Sequence, residues 1–144
     1  MKKNIIALIA VLLFTAALPV QAQSKLEKRY AYTLKKLRLD KATEAKFGPI
    51  LKAYLTEKKE ANKKYDDLKD KYKQAEKAGT LTDSQATQLL DAKFECETKE
   101  TAVKKKYYTE FLKVVKPKKA YYAFDYSNDK MSKIEGDKNS KDDD

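Results

Sequence analysis

Residues 50–78 and 80–116 of this chain contain neither glycine nor proline. Only Gly48, Gly79, Gly136, Pro19, Pro49 and Pro117 supply helix-breaking residues in 144 positions. With so few breaks, and with apolar residues recurring three and four apart, the chain reads as all-α. The spacing of Leu26, Tyr30, Leu34 and Leu37 predicts a first helix over 25–38. Asp40, able to accept free amide hydrogens, predicts the start of a second helix over 41–78, closed by Gly79. Proline in a helix removes a donor and crowds the preceding turn, so Gly48-Pro49 predicts a kink or short break inside it. A third helix is predicted over 83–115, ending because the residue before Pro117 is pushed from helical geometry. Pro117 suits the first turn of a fourth helix through 133, with Tyr121, Phe124 and Met131 facing inward. From Ile134 on, "IEGDKNSKDDD" has little to bury and predicts a disordered acidic tail over 134–144.

The two central helices would each be about 50 Å or longer at 1.5 Å per residue. Rods of that length bury an apolar face in an antiparallel hairpin or against a second chain, and a dimer is expected. In the second helix Tyr54, Ala61, Tyr65, Leu68, Tyr72 and Ala75 keep a seven-residue coiled-coil rhythm, which Lys58 interrupts.

The amino terminus bears on location. Lys2 and Lys3 precede an apolar run from Ile5 to Leu18, then Pro19 and a Val20-Gln21-Ala22 site with small residues at both key positions. This pattern is that of a cleaved signal peptide over residues 1–22, leaving one domain over 23–133 before the tail. Residues 23–124 hold 26 Lys/Arg against 15 Asp/Glu, whereas residues 125–144 hold 4 against 7. A basic body thus carries an acidic end. Nucleic acid is not an expected partner, since an exported chain meets little of it and lysine is poor at bidentate base reading. Acidic protein surfaces and anionic headgroups are what such a chain would meet, although lysine also simply keeps long helices soluble.

The residue inventory argues against catalysis. The chain has no histidine, no glycine-rich phosphate loop and no Cys-x-x-Cys pair, and its carboxylates alternate with lysines along helix faces. No enzyme activity, cofactor or metal is expected. Cys96, the single cysteine, is either buried on the stripe of Leu89 and Val103 or available for an intermolecular bridge.

The third helix carries the most informative pattern. Leu89, Leu90, Phe94, Cys96, Thr101, Val103, Tyr107, Tyr108, Phe111, Leu112, Val114 and Val115 cover about half of its wheel at 100° per residue. Lys93, Glu97, Glu100 and Lys104 fall inside the same arc, as pairs four apart. Two readings stand. The charged middle is exposed or matched by a neighbouring helix, or the face is an amphiphilic concave surface that holds extended or partly folded polypeptide. On the second reading the binding residues are Tyr54 and Lys58 with Lys93, Phe94, Glu97, Lys104 and Tyr108. Ten tyrosines among fifteen aromatics fit an adaptable surface of that kind.

"LTDSQ", Leu81 to Gln85, opens this helix. Physically it is a capping box, with the Thr82 hydroxyl accepting the amide three residues on, Gln85 reaching back, and Leu81 packing as a staple. It also fits the Leu-Thr-x-x-Gln motif of the Spy/CpxP family of exported stress proteins, with "LDKAT" at Leu39 to Thr43 in the place of that family's looser first copy. There Asp40 stands for Thr and Thr43 for Gln. "EAKFGPILKAY" and "KYYTEFLKVVKPKKAYY" are similar to flanking segments of the family, so the resemblance spans most of residues 26–132. It implies a four-helix, cradle-shaped antiparallel homodimer in the periplasm. The implied function is an ATP-independent chaperone for unfolded or partly folded proteins. The alternative is a regulatory binding module for a membrane-embedded stress sensor or anti-sigma factor. Metal-sensing relatives use histidines that this chain lacks.

Overall fold

A computed structural model describes residues 24–137; the expected signal peptide and most of the acidic tail lie outside the described residues. The described chain is all-helical, in five helices: α1 (Lys25–Leu37), α2 (Lys41–Ala78), α3 (Asp83–Leu112), α4 (Pro117–Ser127) and α5 (Met131–Gly136). None of these is long and apolar enough to cross a membrane.

Local chemistry sets most of the boundaries. Asp40 accepts the Thr43 amide at 2.9 Å and the Thr43 hydroxyl at 2.7 Å, which starts α2. Gly79 turns the chain at φ 68°, and the Thr80 amide closes onto the Ala75 carbonyl at 2.9 Å. The capping box at the head of α3 is present in both directions: the Gln85 amide donates to Thr82 Oγ1 at 3.2 Å, and the Thr82 amide to Gln85 Oε1 at 3.0 Å. Ser24 and Glu27 form a second such box at the start of α1. Thr82→Ala should therefore cost about 1 kcal/mol, seen as a modest fall in melting temperature. Any binding per folded molecule should be unchanged; a loss of binding at constant melting temperature would overturn this.

α2 and α3 form a long antiparallel hairpin across a short turn, and α1, α4 and α5 pack around its open end. That end holds the core. Phe47, Leu51, Tyr54 and Leu55 of α2 meet Tyr107 and Phe111 of α3, Ala120 and Ala123 of α4, and Leu37 of α1. Further out along the hairpin, Tyr72, Leu89, Ala92 and Cys96 are the buried apolar groups, so the shaft is thin. Polar rungs fix its register. Tyr107 and Lys106 both donate to Glu57, and near the tip the Tyr72 hydroxyl donates to Gln88 at 2.8 Å.

Several expectations are corrected. Of the kink or short break expected at Gly48-Pro49, the break does not occur, since α2 is continuous there. Pro49 is exposed, while Gly48 is where α1 comes close: a Cβ there would lie 2.6 Å from the Tyr30 hydroxyl. α3 ends at Leu112, three residues early, in a turn closed by the Val115 amide on the Phe111 carbonyl. The expected fourth helix is two helices, because Asn128 and Asp129 turn the chain after Ser127. Its inward face is Ala120, Ala123 and Ser127 rather than Tyr121, which is 65% exposed. Small residues let α4 lie close on α1, and a tyrosine would hold it away. The unstructured tail does not begin at 134, since Ile134 is buried in α5. Glu135 and Asp137 tie that helix to Lys28, Lys35 and Lys36 of α1.

Candidate functional site

The half-wheel of apolar residues on α3 is two faces. Leu89, Ala92, Cys96, Tyr107 and Phe111 turn inward against α2 and α4. Leu90, Phe94, Tyr108 and Leu112 lie on another side of the same helix and stay 51%, 57%, 47% and 38% exposed. Four large apolar side chains on one helix face, unpartnered among the described residues, form the main candidate surface. Between its two apolar ends, Phe94, Glu97, Thr98, Thr101, Ala102 and Lys105 line a shallow groove.

The structure sorts the predicted binding residues into three groups. Phe94, Glu97 and Tyr108 share the outer face, with Lys93 at its edge, 3.9 Å from Glu97. Lys58 and Lys104 instead belong to a network between the hairpin helices: Lys58 Nζ is 3.7 Å and Lys104 Nζ 4.0 Å from Glu100. Tyr54 leaves the candidate surface altogether. Its ring is completely buried, edge-on to Phe111 and Phe124, so no client could touch it in the folded chain. Leu81, Thr82 and Gln85 act as the start of α3, not as a contact surface.

The network around Glu100 explains two of the four charges that the wheel places mid-face, Glu100 and Lys104; Lys93 and Glu97 stay outside it. Asn62 donates to Glu100 at 2.8 Å and accepts from the Cys96 thiol at 2.6 Å, and Lys58 also donates to Asn128. Charges so placed are matched across the hairpin, as a half-buried position requires. Burial pulls the Lys58 ammonium below its ordinary value against the opposing pull of Glu100. Burial, with Glu100, Asp66 and Glu97 nearby, pushes the Cys96 thiol up, which keeps it protonated and a poor nucleophile. Cys96 is thus on the buried side of the two alternatives.

A cleft of about 480 Å³ lies where α1 crosses α2, lined by Leu26, Arg29, Leu55, Lys58, Asn62 and Asn128 among others. Its central cations are already engaged. Arg29 donates to the Ser127 carbonyl at 2.5 Å and to the Asp129 carbonyl at 2.7 Å, and Lys58 is held as above. No group of three or more His, Cys, Asp or Glu suited to a metal ion occurs among the described residues.

Three things escaped the sequence reading: the separation of α3's two faces, the place of Leu90, Leu112 and Lys105 on the outer one, and the role of Arg29. A signal for the last was available, because a chain this rich in lysine keeps arginine at only Arg29 and Arg38. Both sit at special positions. Arg29 reaches two backbone carbonyls from a single nitrogen, Nη1, and Arg38 closes α1 at φ 48°. Comparison with family models, with curated proteins and with solved structures finds no match to this chain.

Proposed function

We propose that this protein is an exported, periplasmic, ATP-independent holdase that captures unfolded or partly folded polypeptide on the outer face of α3. The observation that carries the reading is the row of Leu90, Phe94, Tyr108 and Leu112, all exposed, with Lys93 and Lys105 beside it. Apolar side chains give affinity for any unfolded segment, and flanking lysines favour acidic stretches without demanding one sequence. The proposal includes cleavage after Ala22 and the antiparallel dimer that the Spy/CpxP resemblance implies. No catalytic residue, cofactor or metal enters it.

The test is suppression of aggregation of a chemically unfolded client, without ATP, by the processed chain. We expect suppression near stoichiometric ratios and a several-fold loss in Phe94→Ser/Tyr108→Ser, with melting temperature held because both side chains are exposed. Absence of suppression at several-fold molar excess would remove the reading. One stable partner crosslinked in envelope extracts, with no general client binding, would favour the regulatory module instead.

A further inference from the structure

The cleft between α1 and α2 holds more positive charge than its surroundings answer. Lys25, Arg29, Lys58 and Lys59 line it against a single carboxylate, Asp66. Arg29 and Lys58 are partly buried, and their close hydrogen bonds go to neutral groups: two backbone carbonyls for Arg29 and the Asn128 side-chain oxygen for Lys58. Such bonds occupy donors without cancelling charge. Arg29 has no carboxylate at ion-pair distance among the described residues, and Lys58 has Glu100 only at 3.7 Å. Both bonds of Arg29 leave from Nη1, so its Nε and Nη2 have no partner among the described residues. Burial pulls both cations below their ordinary pKa, against Asp129 for Arg29 and Glu100 for Lys58, as expected of charges that are desolvated and incompletely balanced. At the rim, Lys25 and Lys59 are exposed and make no hydrogen bond or ion pair among the described residues. Between these cations the lining is apolar, supplied by Leu26, half-buried, and Leu55, 4% exposed.

We infer that this cleft is a binding site for a small amphipathic anion, a carboxylate on an aliphatic chain, with its head among Arg29, Lys58 and the rim lysines and its chain along Leu26 and Leu55. A bare anion would answer the charge and leave the leucines wet, and an uncharged chain would do the reverse. The volume, about 480 Å³, falls in the range of small-molecule sites. The walls come from α1, α2 and the turn after α4, so the site is separate from the outer face of α3 and does not rest on the holdase reading. A ligand held there touches all three elements. It would brace the junction at which the two ends of the described chain meet, since whatever binds only the folded form stabilises it.

The experiment titrates the full processed chain with decanoate by calorimetry, below the concentration at which decanoate forms micelles. We expect saturable binding of one decanoate per chain. Acetate, which lacks the chain, decanol, which lacks the charge, and decyltrimethylammonium, which reverses it, should each bind at least about tenfold more weakly. Lys59→Gln should weaken decanoate binding about fivefold, and Asp66→Asn should tighten it by a similar factor, because one removes an attraction and the other a repulsion. Lys73→Gln, an equal loss of charge on the same helix near the hairpin tip, should change nothing. All three side chains are exposed, and a tighter Asp66→Asn cannot come from misfolding. Bound decanoate should also slow amide exchange in α1 and in the turn after Ser127 more than at the tip. Absence of saturable binding would overturn the site, as would acetate or decanol binding as well as decanoate. Equal losses in Lys59→Gln and Lys73→Gln would reduce it to attraction by net charge. Decanoate binding lost in Phe94→Ser/Tyr108→Ser but kept in Lys59→Gln would move the ligand to the outer face of α3 and overturn the assignment. Suppression of client aggregation is read separately, so either proposal can fail while the other stands.

Discussion

Phe111→Ala should destabilise the protein by about 3 to 5 kcal/mol, the range for truncating a large buried aromatic. Phe111 has no exposed surface and sits at the hub of the ring cluster. Its ring centroid lies 4.8 Å from Phe47, 5.0 Å from Phe124, 5.7 Å from Tyr54 and 6.3 Å from Tyr107. Those rings come from α2, α3 and α4, so the cavity left by alanine would open where three elements meet. No single helix can shift to fill it. For a domain of this size the melting temperature should fall on the order of 15 °C or more, read by circular dichroism. A fall of only a few degrees would mean that the cluster collapses around the gap and is not the keystone described.

Arg29→Ala should cost about 2 to 3 kcal/mol, and by a different mechanism. The guanidinium crosses from α1 to the turn between α4 and α5 and donates to two backbone carbonyls there. Removing it leaves both acceptors half-buried and unmet. Burial holds the Arg29 pKa below its ordinary value against the pull of Asp129, without removing a charge so basic. Arg29→Lys should recover only part of the loss, because both bonds come from Nη1 at the far end of the guanidinium and the lysine stem stops short of that point. Amide hydrogen exchange separates this from a general loss of stability: α5 should lose protection before the hairpin does. Equal loss along the whole chain would argue that Arg29 does not act through that turn.

How far the sequence reached can be judged element by element. α2 was legible at both ends because Asp40 and Gly79 are local signals, read from a few residues. The start of α3 was legible for the same reason. Ile134 was not, because one apolar residue among charges carries no periodicity, and its burial depends on α1 more than ninety positions away. The break after Ser127 was missed because Asn128 and Asp129 are weak breakers beside glycine and proline. The wheel of α3 located the right residues without dividing them. Periodicity reports that a residue is apolar, not which neighbour it meets, and Leu89 and Leu90 differ only in that. Tyr54 misled for the same reason, as a tyrosine suits a wet surface until a core closes over it. Its hydroxyl is buried there beside the Ser127 side chain.

The two ends of the described chain meet: Arg29 holds Ser127 across 98 positions, and Lys28 holds Glu135 across 107. The hairpin, by contrast, joins neighbours across a short turn. Assembly therefore has an order. The α2–α3 hairpin can form from local contacts, while α1 has little to settle on until nearly the whole chain has been delivered. A chain emerging amino end first stays unfinished at its leading end, and its trailing end is the latch.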